Sequence, residues 1–84
     1  MPELEIGTVS DFFARPVVAG VELRGSLKVG DTIHVVGHTT DLTMVVESMQ
    51  INNVNVQEAK AGDATGIKMT GRVRRGDRVY KVIP

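Results

Sequence analysis

Eighty-four residues with no cysteine, ten basic and ten acidic side chains make a chain of zero formal charge at pH 7. This length predicts one domain spanning residues 1–84, burying roughly 60% of its unfolded surface. The missing cysteines exclude disulfides, thiolate nucleophiles and thiolate metal sites, and the neutral balance argues against binding nucleic acid over the whole surface. Charge is uneven along the chain: residues 1–42 carry three basic against six acidic side chains, residues 43–84 seven against four. Apolar runs fall far short of the roughly 20 residues that cross a bilayer, and the acidic Met-Pro-Glu-Leu-Glu start is unlike a signal peptide. A soluble cytoplasmic protein with no membrane partner is expected.

Strand signals recur about every ten residues. Leu4 and Ile6 alternate with Glu3, Glu5 and Gly7 in a strand running through Val9 toward Phe12, broken at Arg15-Pro16. Val17, Ala19, Val21 and Leu23 share one face of a second strand, which Arg24-Gly25-Ser26 turns back. These two read as neighbours. Thr32 to Val36 is β-branched almost throughout, Gly37 to Asp41 is an exposed loop, and Leu42 to Ile51 reads as one long central strand closed by Asn52-Asn53. Val54 to Val56 adds a short edge. Thr65 to Thr70 sets Ile67 and Met69 against Lys68, and Arg78 to Ile83 forms a last strand whose facing the pattern leaves open.

Three of these strands follow the same phrase: Lys28-Val29-Gly30-Asp31, Lys60-Ala61-Gly62-Asp63 and Arg74-Arg75-Gly76-Asp77. Glycine supplies the positive φ of a tight turn, and the aspartate carboxylate bonds backbone N–H groups just ahead, so each copy ends a turn and launches a strand. With no window of helical period, the reading is all-β: a small six- to seven-stranded closed antiparallel barrel, Greek-key-like, because closure removes exposed edges.

Motifs for catalysis are absent. Ser10, Ser26 and Ser48 have no nucleophile-elbow context, and His34 and His38 fall on a strand and a loop, where their four-residue spacing does not bring two metal ligands to one face. Asp63-Ala64-Thr65-Gly66 matches a short pattern of GTP-binding proteins, yet no phosphate-cradling glycine loop accompanies it, so no nucleotide binding and no cofactor are expected. Arg75-Gly76-Asp77 reads as a turn and not an adhesion signal. The chain is therefore expected not to be an enzyme. A basic cluster stands out: Lys68, Arg72, Arg74, Arg75 and Arg78, with Lys81 just beyond. Such side chains suit phosphate contacts, and with Phe12, Phe13 and Tyr80 the only aromatics, phosphate or shape recognition is favoured over base stacking.

Val17-Val18-Ala19-Gly20-Val21, Leu27-Lys28-Val29-Gly30-Asp31, Val46-Glu47-Ser48-Met49-Gln50 and Ala59-Lys60-Ala61-Gly62-Asp63 with Gly66-Ile67 occur in an order that resembles domain 2 of the translational GTPases, as in elongation factor Tu. The resemblance runs from about Ile6 to Val82, without the GTP-binding domain. It implies a free-standing, non-catalytic barrel that binds ribosomal RNA or tRNA, with Lys68, Arg72, Arg74, Arg75 and Arg78 as its RNA contacts. It also implies an aminoacyl-end pocket at Asp11 and Phe13. Val21 and the Ala14-Arg15-Pro16 loop depart from the family pattern. Barrels of this kind also resemble small C-terminal modules of some peptidase-like RNA-modification enzymes. The alternative expectation is a protein-protein interaction module that docks on a separate enzyme or GTPase through an apolar surface near Phe12 and Phe13.

Overall fold

The structure, a computed structural model, describes residues 2–15 and 17–84. The described residues form ten strands and no helix. In chain order these are β1 (Glu3–Ala14), β2 (Val17–Leu23), β3 (Leu27–Lys28), β4 (Thr32–Val36) and β5 (Asp41–Val45). They are followed by β6 (Met49–Ile51), β7 (Val54–Val56), β8 (Glu58–Ala59), β9 (Ala64–Lys68) and β10 (Arg78–Val82). The all-β expectation holds.

Eight strands make one antiparallel sheet in the order β5-β4-β10-β1-β2-β9-β6-β7, and β3 pairs with β8 in a two-stranded ladder. The expectation of a six- to seven-stranded closed barrel is corrected: the main ladder ends at β5 and β7 and does not close on itself. The segment read as one central strand, Leu42 to Ile51, causes the difference. It divides at residues 46–48, where the Val46 N–H donates to the Asp31 carbonyl (2.9 Å) and the Val46 carbonyl accepts from Gly30 N–H (2.8 Å). Val46 is thereby drawn fully into the core. The chain then leaves β4 and pairs with β9, so one predicted strand becomes two near opposite ends of the sheet.

Alternation of apolar residues fills the interior. Ile6, Leu27, Ile33, Met49, Val46 and Ile67 are fully buried, each contributing about 1.5–3 kcal/mol of burial free energy. Ala19, Val21 and Leu23 of β2 face this core as the alternation requires, whereas Val17 at the strand's start is one-third exposed. The facing of β10, open at the sequence level, is settled by pairing: Val79 is buried against Val35, and Tyr80 turns outward beside His34. Leu27 and Ala59, paired across β3 and β8, are buried and cover one end of the core. The Cα radius of gyration, 11.2 Å, is close to the roughly 12 Å expected for a packed chain of this length.

The three basic-x-Gly-Asp phrases fold into the same turn. Gly30, Gly62 and Gly76 have φ of 98°, 94° and 92°, a region costly for any residue with a Cβ. In each turn the aspartate N–H donates to the carbonyl three residues back, and its carboxylate accepts from that same residue's N–H: Lys28 (2.9 Å), Lys60 (3.0 Å) and Arg74 (2.8 Å). The carboxylates thus reach backward along the chain, not ahead as the sequence suggested. Each turn does launch a strand. Asn52 and Asn53, both at positive φ, make the two-residue turn between β6 and β7, a geometry asparagine tolerates well. The predicted break at Arg15-Pro16 falls between β1 and β2, with Pro16 itself outside the described residues.

Candidate functional site

The sheet disperses the basic cluster. Lys68 is on the outer side of β9, opposite Val18 of β2, while Arg78 is on β10, opposite Thr8 and Val36. β1 and β2 separate those two strands, which puts them roughly 14 Å apart along the sheet. Arg75 is committed elsewhere: its Nε donates to the Ser10 carbonyl (2.9 Å) and its Nη2 lies 4.0 Å from Asp11 Oδ1. Arg72 lines a hollow beside Phe12, and Arg74 is exposed in the turn before β10. Lys68 is thus set apart from Arg78 by two intervening strands, and Arg75 is held against the β1 backbone. Asp11 and Phe13 do share a face, opposite Gly20 and Val18 of β2.

That face belongs to a projecting hairpin arm. A bulge at Ser10, where the β1–β2 register shifts between Val9 and Asp11, re-aims the end of β1. Beyond it Phe12 turns inward and packs against the core, and Phe13 turns outward with 54% of its surface exposed. Each side of the arm carries an open hollow. One, about 260 Å³, lies between Phe12, Ala14, Val17 and the Thr70-Gly71-Arg72 segment. The other, about 400 Å³, lies between Phe13, Arg15 and Val18 on one flank and the Asn52-Asn53 turn on the other.

The densest group of ionisable side chains is elsewhere. His34 on β4 places Nδ1 3.0 Å from the Glu3 carboxylate on β1 and Nε2 2.5 Å from Asp41 Oδ1 on β5. The hydrogen bond to Asp41, then that to Glu3, raises the imidazole pKa above its ordinary value of 6.5. This is a strap between strands, with both ring nitrogens directed at carboxylates and neither at a serine or threonine hydroxyl. His38 is exposed in the loop before β5. The sequence did not reveal the strap because Glu3 is 31 residues from His34 and meets it only through β10. Arg15, Gln50, Asn52 and Asn53 were likewise passed over as site residues; the Asn-Asn pair signalled a turn but not what the turn faces.

No family model matches the chain. A Methanocaldococcus jannaschii protein described as an uncharacterized protease is 48% identical over 79 residues, which cover 93% of this chain and 19% of that protein. The chain thus spans about a fifth of the curated relative it matches. Among solved structures, the C-terminal domain of a Geobacillus thermoleovorans protein described as a U32 peptidase superposes with a TM-score of 0.88 at 17% identity, covering 95% of this chain and 93% of that one. Its selenomethionine variant gives 0.84 at 17% identity, with 89% and 95% covered. This chain has the fold of that C-terminal domain.

These relationships overturn the resemblance to translational GTPase domain 2 and, with it, the reading as an RNA-binding translation-factor module acting on the ribosome or tRNA. The reason lies in what the matching phrases encode. Gly30, Gly62 and Gly76 with their aspartates are turn chemistry, and Gly20 and Gly66 face each other across β2 and β9. Such residues specify strand geometry, which unrelated functions share.

Proposed function

We propose that this chain is a non-catalytic accessory domain of a U32-peptidase-like protein, the counterpart of the C-terminal domain whose fold it has. The supporting observation is the 48% identity to a protease-described relative along nearly the whole chain but only a fifth of the relative, the coverage expected of one domain in a larger protein. The placement of the ionisable groups is consistent: both ring nitrogens of His34 are engaged by carboxylates, and among the described residues no hydroxyl, not even that of Thr43 opposite it on β5, is hydrogen-bonded to the imidazole.

Two measurements test the reading. The purified chain, incubated with fluorescein-labelled casein, is expected to release fluorescence no faster than buffer; release that co-elutes with the chain and disappears on unfolding it would overturn the non-catalytic assignment. In the second, this chain replaces the matched 79 residues of the Methanocaldococcus protein. The expected chimera is soluble and resists limited proteolysis like its parent, whereas aggregation or cleavage throughout the graft counts against a shared accessory role.

A further inference from the structure

The 400 Å³ hollow beside Phe13 continues into a neighbouring one of about 240 Å³ that reaches Ser48 and Lys68. Val18, Gln50 and Gly66 line both, so the two form one groove crossing the outer face of β2, β9 and β6. Its floor is low because Gly66 stands between Gly20 and Gln50 in register. Arg15 lines one end and Lys68 the other, neither is in a salt bridge among the described residues, and no lining side chain is acidic. Two carboxylates stand beside the groove without lining it: Asp11, opposite Gly20 and 4.0 Å from Arg75 Nη2, and Glu22, opposite the lining residue Ala64.

We infer that this groove binds an extended acidic polypeptide segment. Charge complementarity selects the sign: two unpaired cations over an uncharged floor favour carboxylates and repel basic chains. The amides select a peptide. Gln50 uses one N–H on Asn55 Oδ1 (3.0 Å), which leaves a carbonyl oxygen and a second N–H, and Asn52 and Asn53 add further donor and acceptor groups, matching the alternating N–H and C=O of extended backbone. Phe13 and Val18 supply apolar contact for the side chains between the carboxylates. This inference rests on the accessory-domain reading for its biological sense, since a domain of a protease-like protein meets polypeptides, but not for its geometry.

The test is fluorescence anisotropy at low salt with a fluorescein-labelled peptide of about six alternating Glu and Leu residues, long enough to span about 20 Å. A Lys-Leu counterpart and an oligouridylate of similar length serve as competitors. Saturable binding of the acidic peptide, at least about tenfold tighter than its basic counterpart, is expected. The double variant Arg15→Glu with Lys68→Glu should lose about tenfold or more, while Arg78→Glu on β10 should not. Both altered sites are exposed, and thermal melts confirm the fold of each variant; Phe13→Ala provides a second, uncharged lesion that should also weaken binding. Absence of saturable binding, equal affinity for the basic peptide, tighter binding of oligouridylate, or indifference to the double variant would each overturn the inference. Failure here with a well-folded chimera sinks the groove alone, whereas a misfolded chimera with intact peptide binding sinks the accessory-domain reading alone.

Discussion

Asp31, Asp63 and Asp77 make the same hydrogen bonds within the same turn, yet they are not equivalent. Asp77 is only 5% exposed, whereas the other two are half-buried. Its turn is also stitched to β1, with Val9 N–H donating to the Asp77 carbonyl and Gly76 N–H to the Val9 carbonyl, both at 2.8 Å. Gly37 lies so close that a Cβ there would overlap the Asp77 carboxylate. Removing a buried charged acceptor leaves its donor unsatisfied, which costs more than the same loss near water. Asp77→Ala should therefore destabilise by about 2–3 kcal/mol, and Asp31→Ala or Asp63→Ala by about 1 kcal/mol. Urea unfolding of the three variants reads the difference directly, and equal losses would show that turn chemistry alone, without burial, sets the cost.

At the level of elements, the division of Leu42–Ile51 decides the topology. Periodicity read that segment as continuous because Val45, Met49 and Ile51 fall on one alternating face and Met44 and Val46 on the other, and neither alternation nor propensity records which neighbour a strand pairs with. The backbone bonds of Val46 to the Gly30-Asp31 turn do record it. Proline at 46 deletes the N–H that Asp31 accepts, so Val46→Pro is expected to cost about 3 kcal/mol or more. Val45→Ala, one residue earlier and half exposed, should change stability by less than about 0.5 kcal/mol. Chemical denaturation of the pair distinguishes a required bend from a passive one. β2 and β9, by contrast, were legible: Ala19, Val21, Leu23 and Ile67 face the core as simple alternation demands.

For the molecule as a whole, the strap of Glu3, His34 and Asp41 joins β1, β4 and β5, one half of the main sheet. Because Asp41 and Glu3 raise the folded-state pKa of His34 above 6.5, the folded protein binds a proton more tightly than the unfolded chain. The stabilisation is fully present below the unfolded pKa and is lost as pH rises through the folded one. Urea midpoints of the native protein should fall over that interval, and His34→Gln should flatten this part of the profile. A His34→Gln variant with an unchanged slope would assign the pH dependence to other groups. The groove beside Phe13 lies across β2, β9 and β6, so groove and strap occupy different parts of the same sheet.

The sequence by itself determined the all-β class, most strand positions and the three glycine turns, because these depend on residues within a few positions of one another: alternation, φ preference and a carboxylate within reach of a nearby N–H. Only the tertiary structure decided that the main ladder stays open, that Lys68 and Arg78 point from well-separated strands, and that Glu3 meets His34. Each of those depends on which strands become neighbours, a property of pairing across tens of residues that local pattern does not carry. The groove belongs to the same class, since Arg15, Gln50 and Lys68 share a surface only after β2, β9 and β6 have come side by side.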